Sequence, residues 1–200
     1  MQVPKTLLSL SGADMTPGAL SKSTLIVIDC QQEYVDGMLP LPGVAAALEE
    51  VSRLLVMARA AGTPILHIAH KGAAGGAFDR DGAGGQFARH AAPEKEESVI
   101  EKPLPNAFAK TSLAEELEKI GRKELIVCGF MTHMCVSSTV RAAMDLGYRN
   151  TVIAAASGTR DLPGVNGGGI ITADVLHQAS LAALADRFAI IAGSVADLPE

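Results

Sequence analysis

Short apolar runs, each followed by a stretch with helical spacing, constrain this chain more than any other feature. "TLIVIDC" (24–30) is almost continuously β-branched or aliphatic, as a strand buried on both faces is. "TPILHIAH" (63–70), "KELIVCGF" (123–130) and "NTVIAAAS" (150–157) repeat that pattern, "FAIIAGSVADL" supplies a last strand, and "SVIEK" (98–102) adds a short one. Between them, residues 42–62 carry a proline near the start, apolar residues every three or four positions and Gly62 as a C-cap. Residues 111–121 open on a Thr/Ser cap with an acidic first turn and close on Gly121. Helices are also predicted over 135–148 and 170–188. Strands alternating with helices predict right-handed βαβ crossovers. The expected fold is therefore three-layer α/β/α, with a mostly parallel, Rossmann-like sheet of about six strands and helices on both faces.

The 200 residues suit one domain, with 1–22 as an N-terminal extension. The core must be aliphatic, because aromatic residues make up only 4% of the chain and tryptophan is absent. A net charge of −5 without a basic run gives no support to nucleic-acid or membrane binding, which leaves a small molecule as the expected partner. The three cysteines, Cys30, Cys128 and Cys135, show no C-x-x-C spacing, so neither a disulfide framework nor a zinc ribbon is indicated. The first twenty residues are too weakly patterned for a signal peptide, and the expected location is cytoplasmic. "GAAGGAFDRDGAGG" (72–85) cannot bury a core and reads as a mobile surface loop, either bordering a site or a tolerated insertion.

Ligands of open α/β sheets bind beyond the carboxyl ends of the strands. There the first strand presents Asp29, the second His67 and His70, the short one Lys102, and the third Phe130 with the turn to Cys135. A thiol attacks as its thiolate, which a helix N-terminus and a nearby ammonium both favour. Asp29 could take the thiol proton as general base and return it to a leaving amine. Backbone N–H groups at the helix start could receive an oxyanion. Taken singly, such a cysteine is commonly a small core residue, such an aspartate a cap and such a lysine a solvated side chain. Their convergence on one sheet edge makes a cysteine hydrolase an equal alternative.

Three local sequences carry a resemblance. "LIVIDCQQEYVDG" is similar to a strand ending D-x-Q-x-x-F, with Tyr34 in place of Phe. "EKPLPNAFAKTSL" is similar to K-x-x-x-S-A-F-x-x-T-x-L, with Asn106 in place of Ser. "VCGFMTHMCVSSTVRAAMDLGY" is similar to G-x-x-T-[DN]-x-C-V-x-x-T-x-x-x-A-x-x-x-G-Y, with His133 in place of Asp or Asn. In this order they resemble the isochorismatase-like family of cysteine hydrolases, which includes nicotinamidases, N-carbamoylsarcosine amidohydrolases and isochorismatases. The resemblance covers roughly residues 24–192. It implies a catalytic triad of Asp29, Lys102 and Cys135, a cis peptide at Phe130–Met131, and an oxyanion hole built from the N–H groups of Met131 and Cys135. It places Tyr34 and Phe108 in an aromatic pocket; Phe130 and His70, by their places at strand ends, and His133, just before the cysteine, are further candidate pocket positions. It also implies dimers or tetramers.

No cofactor is expected. Nicotinamidases of the family hold a metal with D-x-H and a later histidine, and "VDGMLPLPG" after Tyr34 has no histidine. His67 and His70 do not replace that site, since side chains three apart on a strand point to opposite faces. His67 is expected in the core, and His177 is a structural residue of the last helix. Isochorismatases that cleave a vinyl ether need no cysteine, so the intact Cys135 points towards cleavage of a C–N amide or carbamoyl bond. The alternatives are vinyl-ether hydrolysis and a non-hydrolytic ligand-binding or redox-sensing protein on the same fold.

Overall fold

In the computed structural model, which describes residues 3–199, the elements in chain order begin with α1 (Leu7–Leu10), β1 (Ser23–Ile28), α2 (Val44–Ala60), β2 (Ile65–His70) and β3 (Ser98–Lys102). There follow α3 (Leu113–Ile120), β4 (Glu124–Phe130), α4 (Ser137–Asp145), β5 (Arg149–Gly158), β6 (Leu162–Pro163), β7 (Ile170–Ile171), α5 (Ala173–Arg187) and β8 (Ile190–Ala192). Six parallel strands form one sheet in the order β3-β2-β1-β4-β5-β8. From β1 the chain winds outward to β2 and β3, then returns to β4 on the other side and winds outward again. The strand order therefore reverses between β1 and β4, the place where such sheets form a crevice.

Alternation along each strand builds the layers. Leu25 and Val27 face α2, where Leu48, Val51, Leu54 and Leu55 are buried. Ile26 and Ile28 face the other way, onto Leu117 of α3, Val140 of α4 and Leu184 of α5. Burying an aliphatic side chain of this size contributes about 1.5–3 kcal/mol, so these two apolar faces hold the helices far more firmly than intrinsic helix propensity does. The three-layer expectation matches this arrangement.

Differences from the sequence reading are local. Residues 170–171, expected as the first turn of the last helix, instead pair antiparallel with 162–163 as β7 and β6, and Thr172 caps α5 by accepting from Val175 N. The helix expected to open at Cys135 opens at Ser137. The glycine-rich segment 72–85 is not a free surface loop. Phe87 bridges to Gln31, and the buried Gln31 amide donates to the carbonyls of His70 (3.0 Å) and Gly85 (2.8 Å) while accepting from His70 N (2.8 Å). Buried Glu33 accepts from Met38 N at 2.6 Å and Phe78 N at 3.4 Å, and a Cβ at Gly84 would lie 2.2 Å from its carboxylate. The glycines that suggested mobility are the ones that let the loop pack down.

Replacing Glu33 with Ala should therefore loosen the loop. Losing hydrogen bonds to a charged acceptor costs about 1.5–3 kcal/mol, and amide exchange at Phe78 and Met38 should quicken while that at β1 stays slow. Unchanged exchange at Phe78 would show that the loop holds itself down without this latch.

Candidate active site

Lys102 draws together residues from separate strands. Its β3 lies two strands from β1, about 10 Å away at ordinary sheet spacing, and its side chain reaches across the end of β2. The ammonium sits 2.7 Å from Asp29 Oδ2, donates to Cys135 Sγ at 3.3 Å and lies 3.3 Å from His70 Nδ1. An ammonium has donors and no acceptor, so His70 Nδ1 must accept. That leaves the His70 proton on Nε2. Burial first, and Lys102 second, push the imidazole down to about 4, which keeps it neutral at pH 7.

Asp29 follows β1 directly with φ 49°, the left-handed region that aspartate tolerates better than most residues. That turn aims its carboxylate into the site, where neither oxygen receives a well-directed hydrogen bond among the described residues. Burial pushes the Asp29 carboxyl up, with the Lys102 charge opposing it. A carboxylate so placed is a better proton acceptor than one in water.

Cys135 is not the first residue of a helix. Thr132–Val136 form one π-helical turn ahead of α4, closed by Val136 N donating to Met131 O at 3.2 Å. The sequence reading expected a lowered thiol pKa. Instead burial, and after it the Asp29 charge, push the thiol up to about 12, against the pull of Lys102. The resting group is a thiol, so its proton must leave as it attacks.

The turn into Cys135 starts with a close approach. Gly129 has φ 114°, and a Cβ there would lie 2.0 Å from the Ile28 carbonyl oxygen, so only glycine fits beside β1. The β4–β5 register shifts at this point. The Phe130–Met131 peptide that follows is cis, and the Met131 N–H has no backbone acceptor among the described residues. Thr132 Oγ1 donates to Gly158 O at 3.0 Å, which uses its only proton. His177 Nδ1, 2.8 Å from that oxygen, must then be the donor, so α5 clasps the turn through His177. His133 Nδ1 lies 2.6 Å from Thr159 Oγ1.

The aromatic side chains around the triad make defined contacts. Tyr34 packs edge-on against Phe78 (5.0 Å) and Phe130 (5.7 Å), and Phe78 also meets His70 at 5.2 Å. Phe78, at φ 60° in the glycine-rich loop, is thus part of the wall, and no motif pointed to it. Phe130 is fully buried and serves as backing for Tyr34. Phe108 packs against the apolar cluster that includes Cys135 and Val136. Its ring stacks 6.3 Å from Tyr148, which precedes β5 at the opposite end of the sheet from Asp29. His67 turns away from His70, as expected, and pairs with Glu97 at 2.9 Å. Among the described residues no group of three His, Cys, Asp or Glu side chains could hold a metal ion.

Asp29 and Lys102 are fully buried, and Cys135 is 4% exposed. A surface hollow of about 830 Å³ between α2 and α5 is lined by Thr159 and His177 but by none of Asp29, Lys102 and Cys135. The three groups are therefore almost entirely shielded from solvent by the elements around them. An acid–base carboxyl, a thiol and an ammonium in mutual contact are equipped for nucleophilic acyl transfer.

A family model described as the isochorismatase domain matches residues 23–195. An isochorismatase from Pseudomonas putida KT2440, known from its crystal structure, is 47% identical, superposes with a TM-score of 0.93, and is covered over 98% of this chain and 100% of that one. A secreted isochorismatase effector of Verticillium dahliae is 35% identical over 93% of this chain and 95% of its own length. Maleamate amidohydrolase of Pseudomonas putida is 33% identical over 70% of this chain and 73% of its own length.

Proposed function

The chain belongs to the isochorismatase-like cysteine hydrolase family, and from that premise we propose that it cleaves a C–N amide or carbamoyl bond of a small molecule through a thioester. The observation that carries the reading is the shared ammonium of Lys102, which holds Asp29 and Cys135 together in a buried cluster. Similarity to an amidohydrolase supports the amide over a vinyl ether, as does a thiol set beside a general base.

In this mechanism Asp29 removes the thiol proton as Cys135 Sγ attacks the carbonyl carbon. The N–H groups of Met131 and Cys135 hold the oxyanion. Asp29 then passes its proton to the departing nitrogen, the C–N bond breaks, and water hydrolyses the thioester. Lys102 balances whichever of its two partners carries the negative charge. The test is ammonia release from a panel of small amides and carbamoyl compounds, with mass-spectrometric trapping of an acyl adduct on Cys135. Turnover of vinyl ethers alone, with no adduct, would replace this reading by acid catalysis from Asp29.

Thiol alkylation provides a separate check. With the thiol pushed up to about 12, the thiolate fraction grows about tenfold per pH unit across the neutral range. Iodoacetamide labelling of Cys135 should therefore rise steadily between about pH 6 and 9 without a plateau. A plateau below about pH 8 would mean that the resting enzyme already holds a thiolate.

A further inference from the structure

Apart from the Lys102 contact with Sγ, the turn Thr132–Val136 is tied to its surroundings by side-chain hydrogen bonds from two directions. The exit of β5 supplies one anchor, where Gly158 O accepts from Thr132 at 3.0 Å and Thr159 Oγ1 meets His133 Nδ1 at 2.6 Å. Helix α5 supplies the other, through His177 Nδ1 donating to Thr132 Oγ1 over 2.8 Å. Thr132 is fully buried. It stands between the two groups that the proposed reaction needs in register, with the Met131 N–H just before it and Cys135 three residues on.

His177 is the polar member of an apolar helix face. Residues 177, 181 and 184 lie on one side of α5, and Leu181 and Leu184 pack in the same buried cluster as Cys135 and Val136. Apolar contact sets how far the helix stands from the turn, but it is non-directional. A hydrogen bond also fixes orientation. No hydrogen bond joins His177 to Asp29, Lys102 or Cys135 among the described residues, so any influence on the chemistry passes through Thr132. The half-buried imidazole also lines the 830 Å³ hollow, as Gly158 and Thr159 do. A small solute can therefore approach its place from a side that includes none of the triad.

We propose that His177 is a positioning residue for the reaction: through Thr132 it fixes the turn so that the Met131 N–H and the Cys135 thiol keep the relative placement that acyl transfer needs. The proposal rests on the thioester reading for what the placement serves, and on the contact with Thr132 for the hold itself.

The test compares three variants of the full chain. Asparagine places an amide N–H at the same remove from Cα as Nδ1, whereas glutamine carries it one carbon further, where Nε2 lies. Misplacement of a reacting group by about 1 Å costs on the order of 10²-fold, so His177→Ala should lower kcat for small-amide hydrolysis by about that factor. KM should stay within about threefold, because the contact serves the transition state and not substrate binding. His177→Asn should restore most of kcat, His177→Gln should resemble His177→Ala, and added imidazole, entering by the hollow, should partly rescue His177→Ala. Iodoacetamide labelling of Cys135 reads the hold without any substrate. One neutral hydrogen bond corresponds to about a two- to tenfold change in how often a local segment opens. Labelling should therefore quicken by about that factor in His177→Ala and His177→Gln, and return to the wild-type rate in His177→Asn. Circular dichroism of each variant separates loss of the contact from loss of the fold, and the asparagine and glutamine pair carries the comparison if the alanine variant does not fold. Labelling that ignores the donor's position, equal turnover by the asparagine and glutamine variants, or a loss confined to KM overturns the proposal. If labelling follows the donor and the wild-type chain cleaves no amide, the hold on the turn stands and the amidase reading falls. If amides are cleaved and the donor pattern is absent, His177 alone is misassigned.

Discussion

Replacing Cys135 with Ala should lower amide turnover by at least about 10⁴-fold while changing stability by no more than about 1 kcal/mol. The size of the first effect follows from covalent catalysis, since without the sulfur no thioester forms, and deleting a nucleophile from a concerted set costs on the order of 10⁴–10⁶. The smallness of the second follows from what the thiol touches. It accepts one hydrogen bond from Lys102, whose contacts with Asp29 and His70 remain, and its removal opens space for less than a methyl group's worth of packing. Ammonia release and a denaturant titration, run on the same preparation, measure both. Activity within tenfold of wild type would show Cys135 to be a bystander and would shift the chemistry to Asp29.

Replacing Lys102 with Met should produce the largest loss of stability available from one change in the site. The methionine keeps most of the buried stem but leaves Asp29 in the interior without a counter-charge, a situation that costs about 3–5 kcal/mol. Asp29 is already pushed up by burial with Lys102 present, and without it the carboxyl moves further up. A folded-state pKa above the unfolded value means that the folded variant holds the extra proton. Stability then falls as pH rises from the unfolded carboxyl value, about 3.9, through the folded one. The gap between variant and wild type should accordingly be small near pH 4 and widen towards pH 8, and Asp29→Asn in the same chain should close most of it. Unfolding curves at the two pH values decide the matter, because a penalty independent of pH would point to lost packing instead of an unpaired charge. Turnover should vanish with the pairing in either case.

What the sequence disclosed, and what it hid, divides by the range of the contacts involved. Strands such as 123–130 are legible because burial on both faces demands an unbroken apolar run, and 98–102 has the same bounds in the structure as in the pattern. Asp29, Lys102 and Cys135 are legible because each closes a strand or opens the turn after one, so sheet order alone brings them to one edge. The positive φ of Asp29 and the π turn before α4 leave no composition signal, since the residues involved are common in ordinary turns and helices. Gln31, Glu33 and Phe78 were missed because their partners lie in the glycine-rich segment, whose composition resembles that of a free loop.

The route of the chain between the three central groups has a consequence for how the protein is made. Asp29 is the first of them to leave the ribosome, Lys102 the second and Cys135 the last. The thiol's surroundings also depend on β5 and α5, through the bonds from Thr132 to Gly158 and His177. A nascent chain therefore carries an exposed cysteine until β5 and α5 have followed it and can close over the turn. Chemical competence arrives late and all at once, so the same step that completes the sheet also withdraws the thiol from oxidants and stray electrophiles.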